Sequence, residues 1–167
     1  SDGFNIKPFI AVLHLINKVN LLWEKLGNKP VGISKIEFKI FALSLINFND
    51  IDTWAEKVIE FRLEDKKQPN DKAKREFKAK YTEEFLTEYE NRDNASDYTD
   101  NAIRYFRLTR YFYLRGNGYY IDIEPRRMNE ISKIMELWNG SIDEFKTKED
   151  YEEFLSSSEL PKLPWEN

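Results

Sequence analysis

Arginine is the residue type in this sequence whose spacing asks for a chemical explanation. Arg104 and Arg107 stand one helical turn apart, with Tyr105 between them and Thr109 just beyond. A guanidinium is a planar fork of donors that matches paired acceptors, either the O6 and N7 edge of a guanine or the oxygens of a phosphate. Arg104 and Arg107 are therefore candidates for base edges, and Tyr105 and Thr109 for sugar or phosphate contacts. Arg115 and Asn117, before and in a tight turn, are candidates for DNA contacts from a wing. Arg126 and Arg127, with Lys74, Arg75 and Lys78 in a separate basic stretch, carry charge suited to tracking a phosphate backbone. The competing reading makes these cations surface partners of nearby carboxylates.

Carboxylate chemistry is less well supported. A metal-dependent nuclease needs two or three acids and a lysine held on a strand pair around a divalent ion. Two triplets have the form acid-x-Lys, Glu37-Phe38-Lys39 and Asp65-Lys66-Lys67. The first falls inside a helix whose apolar period accounts for it, and the second in a loop. The sequence has no phosphate-cradling glycine loop, no serine elbow and one histidine, His14, in an apolar run that makes it a core residue. No catalytic residue and no metal ligand is assigned, and no cofactor is expected in this chain.

The elements that must position the arginines can be read from periodicity. Ala102, Ile103 and Phe106 share one side of a helix with Arg104 and Arg107 opposite, capped by Asp97 or Thr99. Alternation then takes over at 111–115 and 119–123, around Asn117-Gly118, the pattern of an antiparallel hairpin. A helix feeding a short hairpin is the local shape of a winged helix-turn-helix, and the fold class expected is mainly α with a small β-hairpin, interrupted by a helical insertion. Upstream, Val12, Leu13, Ile16, Val19, Trp23 and Leu26 recur at helical steps behind Pro8 and before Gly27, giving a central strut. Ser34 and Glu37 have capping-box spacing for a second helix. Ile51, Trp54, Ala55, Val58, Phe61 and Arg62 give the inward stripe of a third, headed by Asp50 or Asp52.

Residues 64–71 read as a loop, 72–91 as a helix basic in its first half, and 92–97 as a second loop. Pro125 starts a helix ending at Asn139-Gly140, and Ile142 to Leu155 is a weaker helical stretch. Ser1 to Asn5 lies outside the fold. The domain expected spans 6–138, with 64–97 as the helical insertion and 139–167 as an extension and linker to a domain that this chain lacks.

Composition sets the frame. With 167 residues, 41% hydrophobic and 15% aromatic, the chain can bury a real core. It has no cysteine, which excludes disulfides and thiolate metal sites and fits a reducing, cytoplasmic setting. The apolar run from Pro8 to Leu26 is too interrupted by polar residues to span a membrane. Net charge is −4, yet residues 66–80 carry seven basic side chains against two acidic, and 101–127 six against two, leaving −13 for the rest. A basic face on an acidic body still holds phosphates, because salt screens charges beyond about 10 Å.

Three segments resemble a known family. Gly32-Ile33-Ser34-Lys35-Ile36-Glu37, the run from Trp54 to Arg62, and Ala102 to Thr109 followed by Arg115-Gly116-Asn117 are similar to the DNA-recognition part of AlwI-type type IIS restriction endonucleases and related nicking endonucleases. The resemblance covers roughly residues 6–135. It implies a recognition region of winged-helix subdomains that binds an asymmetric site in double-stranded DNA. It also implies a separate C-terminal nuclease domain with a PD-(D/E)xK magnesium site, a motif this sequence does not match. The reading is a sequence-specific double-stranded DNA-binding domain of such an enzyme, with the nuclease domain of the same parent chain as its partner and magnesium needed only there. The alternatives are a helical protein-docking module and a winged-helix transcription regulator.

Overall fold

The computed structural model describes residues 4–5, 8–42, 50–88, 95–117, 119–137 and 144–145. Its elements in chain order are β1 (Phe4–Asn5), α1 (Pro8–Lys25), β2 (Ile33–Ser34), α2 (Lys35–Glu37, running on as a π-helical segment Phe38–Ala42), α3 (Ile51–Lys66), α4 (Asp71–Glu88), α5 (Ala95–Leu108), β3 (Phe112–Arg115), β4 (Tyr120–Ile123), a 3-10 turn at Pro125–Arg127, α6 (Met128–Leu137) and β5 (Glu144–Phe145). The fold is mostly helical, with one small three-stranded antiparallel sheet ordered β2-β4-β3 and a separate two-residue pairing of β1 with β5.

α1 is the strut expected. Ile10 to Leu13, Leu15, Ile16 and Val19 are all essentially buried, more than one face of a helix, because α1 packs on α3 and also touches β4 and α6. Its end is a Schellman cap: Asn28 N–H donates to the Trp23 carbonyl (3.1 Å), Gly27 N–H to that of Glu24 (2.9 Å), and Gly27 takes φ +84°. The capping box at α2 is also present, with Glu37 N–H donating to Ser34 Oγ (3.1 Å) and Ser34 N–H to Glu37 Oε1 (2.8 Å).

Two aromatic groups set the helix positions. Phe41 lies 5.6–6.2 Å from the rings of Trp54, Phe61, Tyr81 and Phe85, which fastens α3 and α4 to the π-helical segment. Phe106 lies 6.0 Å from Phe38 and 5.3 Å from Phe112, which fastens α5 to both the second helix and the sheet. Such contacts contribute about 0.5–1.5 kcal/mol each beyond burial itself. The α5 register therefore follows from its apolar side, and its opposite side faces outward.

Several boundaries differ from the sequence reading. Ile33-Ser34 pairs with Ile121 and Tyr120 as an edge strand before the helix begins, a two-residue ladder too short to leave an alternation signal. α3 continues through Lys66, so Asp65 and Lys66 are helical and not in a loop; Asn70 Oδ1 then caps α4 by accepting from Ala73 N–H (2.8 Å). Asp97 and Thr99 lie inside α5, which starts at Ala95. Glu144 and Phe145, read as helical, pair with Asn5 and Phe4, read as outside the fold; each strand is defined by a partner at the far end of the chain, which local pattern cannot reveal. Asn139-Gly140 and most of 142–155 lie outside the described residues.

Candidate nucleic-acid interface

The hairpin forms where alternation placed it. Phe112 to Arg115 pairs antiparallel with Ile123 to Tyr120, and Tyr119 N–H donates to the Gly116 carbonyl (3.1 Å) across the turn. Gly116 and Asn117 both have positive φ, +55° and +57°, as a tight reversal requires. The connection occupies residues 116–119, wider than a two-residue turn; Gly118 lies outside the described residues.

A polar web holds the hairpin against the helices. Asp122, buried on β4, accepts from Arg115 Nη1 (2.9 Å), Asn20 Nδ2 (3.1 Å) and Ile123 N–H (2.8 Å). Asn20 Oδ1 in turn accepts from Gly32 N–H (2.9 Å), and the Gly32 carbonyl accepts from Arg62 Nη2 (2.6 Å). Arg62 is itself buried and forks onto Glu37, with Nε and Nη2 each 2.8 Å from a carboxylate oxygen, while its guanidinium lies 5.0 Å from the Trp23 ring. Gly32 is fixed by close approach: a Cβ there would sit 2.1 Å from the Ile121 carbonyl oxygen, at φ +79°. The web runs from the hairpin through α1 to α3. Glu37 is spent in it, between a helix cap and a buried arginine, which accounts for the first acid-x-Lys triplet.

The arginines are sorted by this framework. A groove of about 620 Å³ opens between the end of α5, β3 and the Pro125–Arg127 turn, lined by Arg107, Arg110, Arg126 and Arg127 together with Phe112, Tyr113, Leu114 and Glu124. Three of the predicted residues, Arg107, Arg126 and Arg127, thus meet in one place. Arg104 is exposed one turn back along α5. Tyr105 occupies the intervening helix position. Thr109 is turned inward to a local task, its hydroxyl donating to the Phe106 carbonyl (2.6 Å) and accepting from Tyr111 N–H (3.2 Å). Arg115 is engaged with Asp122 and with the Pro30 carbonyl (3.2 Å), so its guanidinium holds the hairpin. Asn117 is exposed at the tip.

Within the groove the cations differ in what they already hold. Arg126 donates from Nε to Glu124 Oε1 (2.5 Å), and that bond pulls the Glu124 carboxyl below its ordinary range. Arg127 pairs with Glu130 (2.7 Å) and lies 4.6 Å from the ring of buried Tyr111, whose hydroxyl donates to the same carboxylate (3.1 Å). Glu130 is likewise held low by Arg127. Arg107 and Arg110 have no ion pair among the described residues. Four arginines against one lining carboxylate make the groove net positive, a surface that attracts anions. Arg110 and Glu124 were not singled out by sequence; Arg110 lay in the counted basic run, directly after Thr109, and Glu124 carried no local signal.

The α4 cations sit elsewhere. Arg75 and Lys78 line a second groove of about 560 Å³ with Ile36, Lys39, Thr82 and Glu83. Lys78 pairs with Asp65 at 3.7 Å; burial opposes its charge, but Tyr119 and Asp65 outweigh that and raise its pKa. Lys74 lies partly buried in the first turn of α4. The basic half of α4 therefore abuts the hairpin tip and does not join the arginine groove. Among the described residues no group of three or more histidines, cysteines or acids is placed to hold a metal ion. Nor is any described helix long and apolar enough to cross a membrane.

The profile of the AlwI restriction endonuclease family matches residues 1–167. No curated protein matches the chain.

Proposed function

The chain belongs to the AlwI restriction endonuclease family, and from that premise we propose that it supplies sequence-specific recognition of double-stranded DNA in a type IIS restriction or nicking endonuclease. Membership of a restriction endonuclease family implies action on DNA. What supports a recognition role for this chain is a positively charged groove. The carrying observation is the arginine groove: four guanidiniums gathered at one edge of a sheet, at the end of a helix whose outward side bears Arg104 and Arg107.

The topology supports a winged-helix reading. A helix, an edge strand, further helices and then a two-stranded hairpin whose second strand pairs with that edge strand is the arrangement in which a helix enters the major groove and the hairpin lies alongside. In this reading α5 is the recognition helix, β3–β4 the wing, and α4 with its flanking loops the insertion between. Arg104 and Arg107 face base edges, Arg126 and Arg127 the flanking phosphates, Asn117 the backbone at the wing tip, and Arg75 and Lys78 a more distant stretch of backbone. Tyr105 remains assigned to sugar or phosphate. Thr109 and Arg115 act one step back, by shaping the helix end and pinning the wing. Hydrolysis, and the magnesium it requires, belongs to a nuclease domain of the parent protein in the cytoplasm.

Selection of duplexes from a random pool by the 167-residue chain tests the reading. A single asymmetric motif should be enriched, and Arg107→Ala should leave one position of that motif degenerate. Enrichment of no motif by a folded chain would rule the recognition role out.

A further inference from the structure

Arg110 stands where the backbone disfavours it. The residue follows α5 with φ +64°, in the left-handed region, where an L side chain crowds its own carbonyl and glycine or asparagine is the usual occupant. Its N–H donates to the Arg107 carbonyl (3.0 Å), which closes the helix and turns the chain so that Tyr111, the next residue, is fully buried. The turn needs that backbone; nothing in it needs an arginine. The Arg110 side chain is exposed, has no ion pair among the described residues, and lines the arginine groove beside Arg107. The bland explanation, attraction of a cation to the carbonyl end of α5, is already served by Arg107 in its last turn.

We infer that Arg110 is a further DNA-backbone ligand, held at a strained position so that its guanidinium reaches a phosphate next to the groove that Arg107 and Arg126 occupy. This rests on the DNA-recognition reading above and deepens it. The left-handed turn aims the side chain, and a residue that fits the turn better gives up the contact. Strain of this kind persists where function keeps it.

The test sets stability against binding in three variants of the chain, Arg110→Gly, Arg110→Asn and Arg110→Lys. Gly and Asn relieve the left-handed penalty and remove the charge; Lys keeps both. The expected result is a Tm equal to or above wild type for Gly and Asn, with binding to random duplex weakened roughly tenfold and the salt slope lowered by about one unit. Arg110→Lys should keep the wild-type Tm and most of the affinity and slope. Binding by Arg110→Gly and Arg110→Asn at wild-type strength and slope overturns the inference while leaving DNA recognition in place. A fall in Tm that accompanies lost binding also overturns it, since Arg110 would then be a helix-end stabiliser. Absence of salt-dependent duplex binding by the wild type overturns the recognition reading itself.

Discussion

Arg107 and Arg126 line one groove but should answer differently to removal. Arg107 has no ion pair among the described residues and points out from the helix assigned to the major groove, so Arg107→Ala should remove about 1–3 kcal/mol of discrimination at one base pair. Its effect on random DNA should be smaller. Arg126→Ala should weaken all duplexes alike and lower the salt slope by about one unit. Titrating a selected and a random duplex at two salt concentrations separates the two. Glu124 works against Arg126, whose guanidinium its carboxylate already occupies. Glu124→Gln should therefore strengthen binding to random duplex severalfold and steepen the salt slope, because Arg126 becomes free for a phosphate. The same pairs set an acid limit. Glu124 and Glu130 are held below the ordinary 4.5 by Arg126 and Arg127, so their contribution to stability is complete above that value. It is lost as pH falls through the lower folded values. Thermal unfolding should accordingly be insensitive to these pairs near neutrality and weaken only in that acidic window. At this scale the sequence showed which stretches are basic and was silent on which cations gather and on what each already holds. Arg115 looked like a wing contact, but its partner Asp122 lies on the neighbouring strand and owes that position to the register of β3 with β4.

The sheet closes onto the helices through Gly32 and the Arg62–Glu37 pair. Gly32→Ala forces a Cβ against the Ile121 carbonyl and Asp122 backbone at a positive φ, and should cost roughly 2–4 kcal/mol. Arg62→Ala leaves Glu37 buried without its partner and should cost about 3–5 kcal/mol. Denaturant unfolding of each variant against wild type measures both; a loss below 1 kcal/mol in either would mean that the web is not what positions the hairpin. The α1 end, the α2 start and the hairpin were readable because the Gly27 cap, the Ser34–Glu37 box and the Asn117 turn are local chemistry. β2 and the β1–β5 pairing were not, because two-residue strands have no period and are specified entirely by distant partners. The groove was half readable. Arg107 and Arg126 are far enough apart in sequence that only the return of β4 beside β3 brings them together.

Taken whole, the molecule is an acidic body with local concentrations of cations, which is why its net charge of −4 misleads. On the recognition-domain proposal, the chain incubated with magnesium and a plasmid should neither cut nor nick it; magnesium-dependent cleavage abolished by changing Glu37 or Asp65 would show that the acid-x-Lys triplets had been dismissed wrongly. The central claim, that the arginine groove holds duplex phosphates, is tested most directly by the salt dependence of binding to a random duplex. Fluorescence anisotropy between 50 and 200 mM salt should give a log–log slope of about −2 to −3, as expected for two to three phosphates held by Arg110, Arg126 and Arg127. Combined removal of Arg126 and Arg127 should bring it to about −1 or weaker. A slope near zero for the folded wild type, or one unchanged in the double variant, would contradict the account.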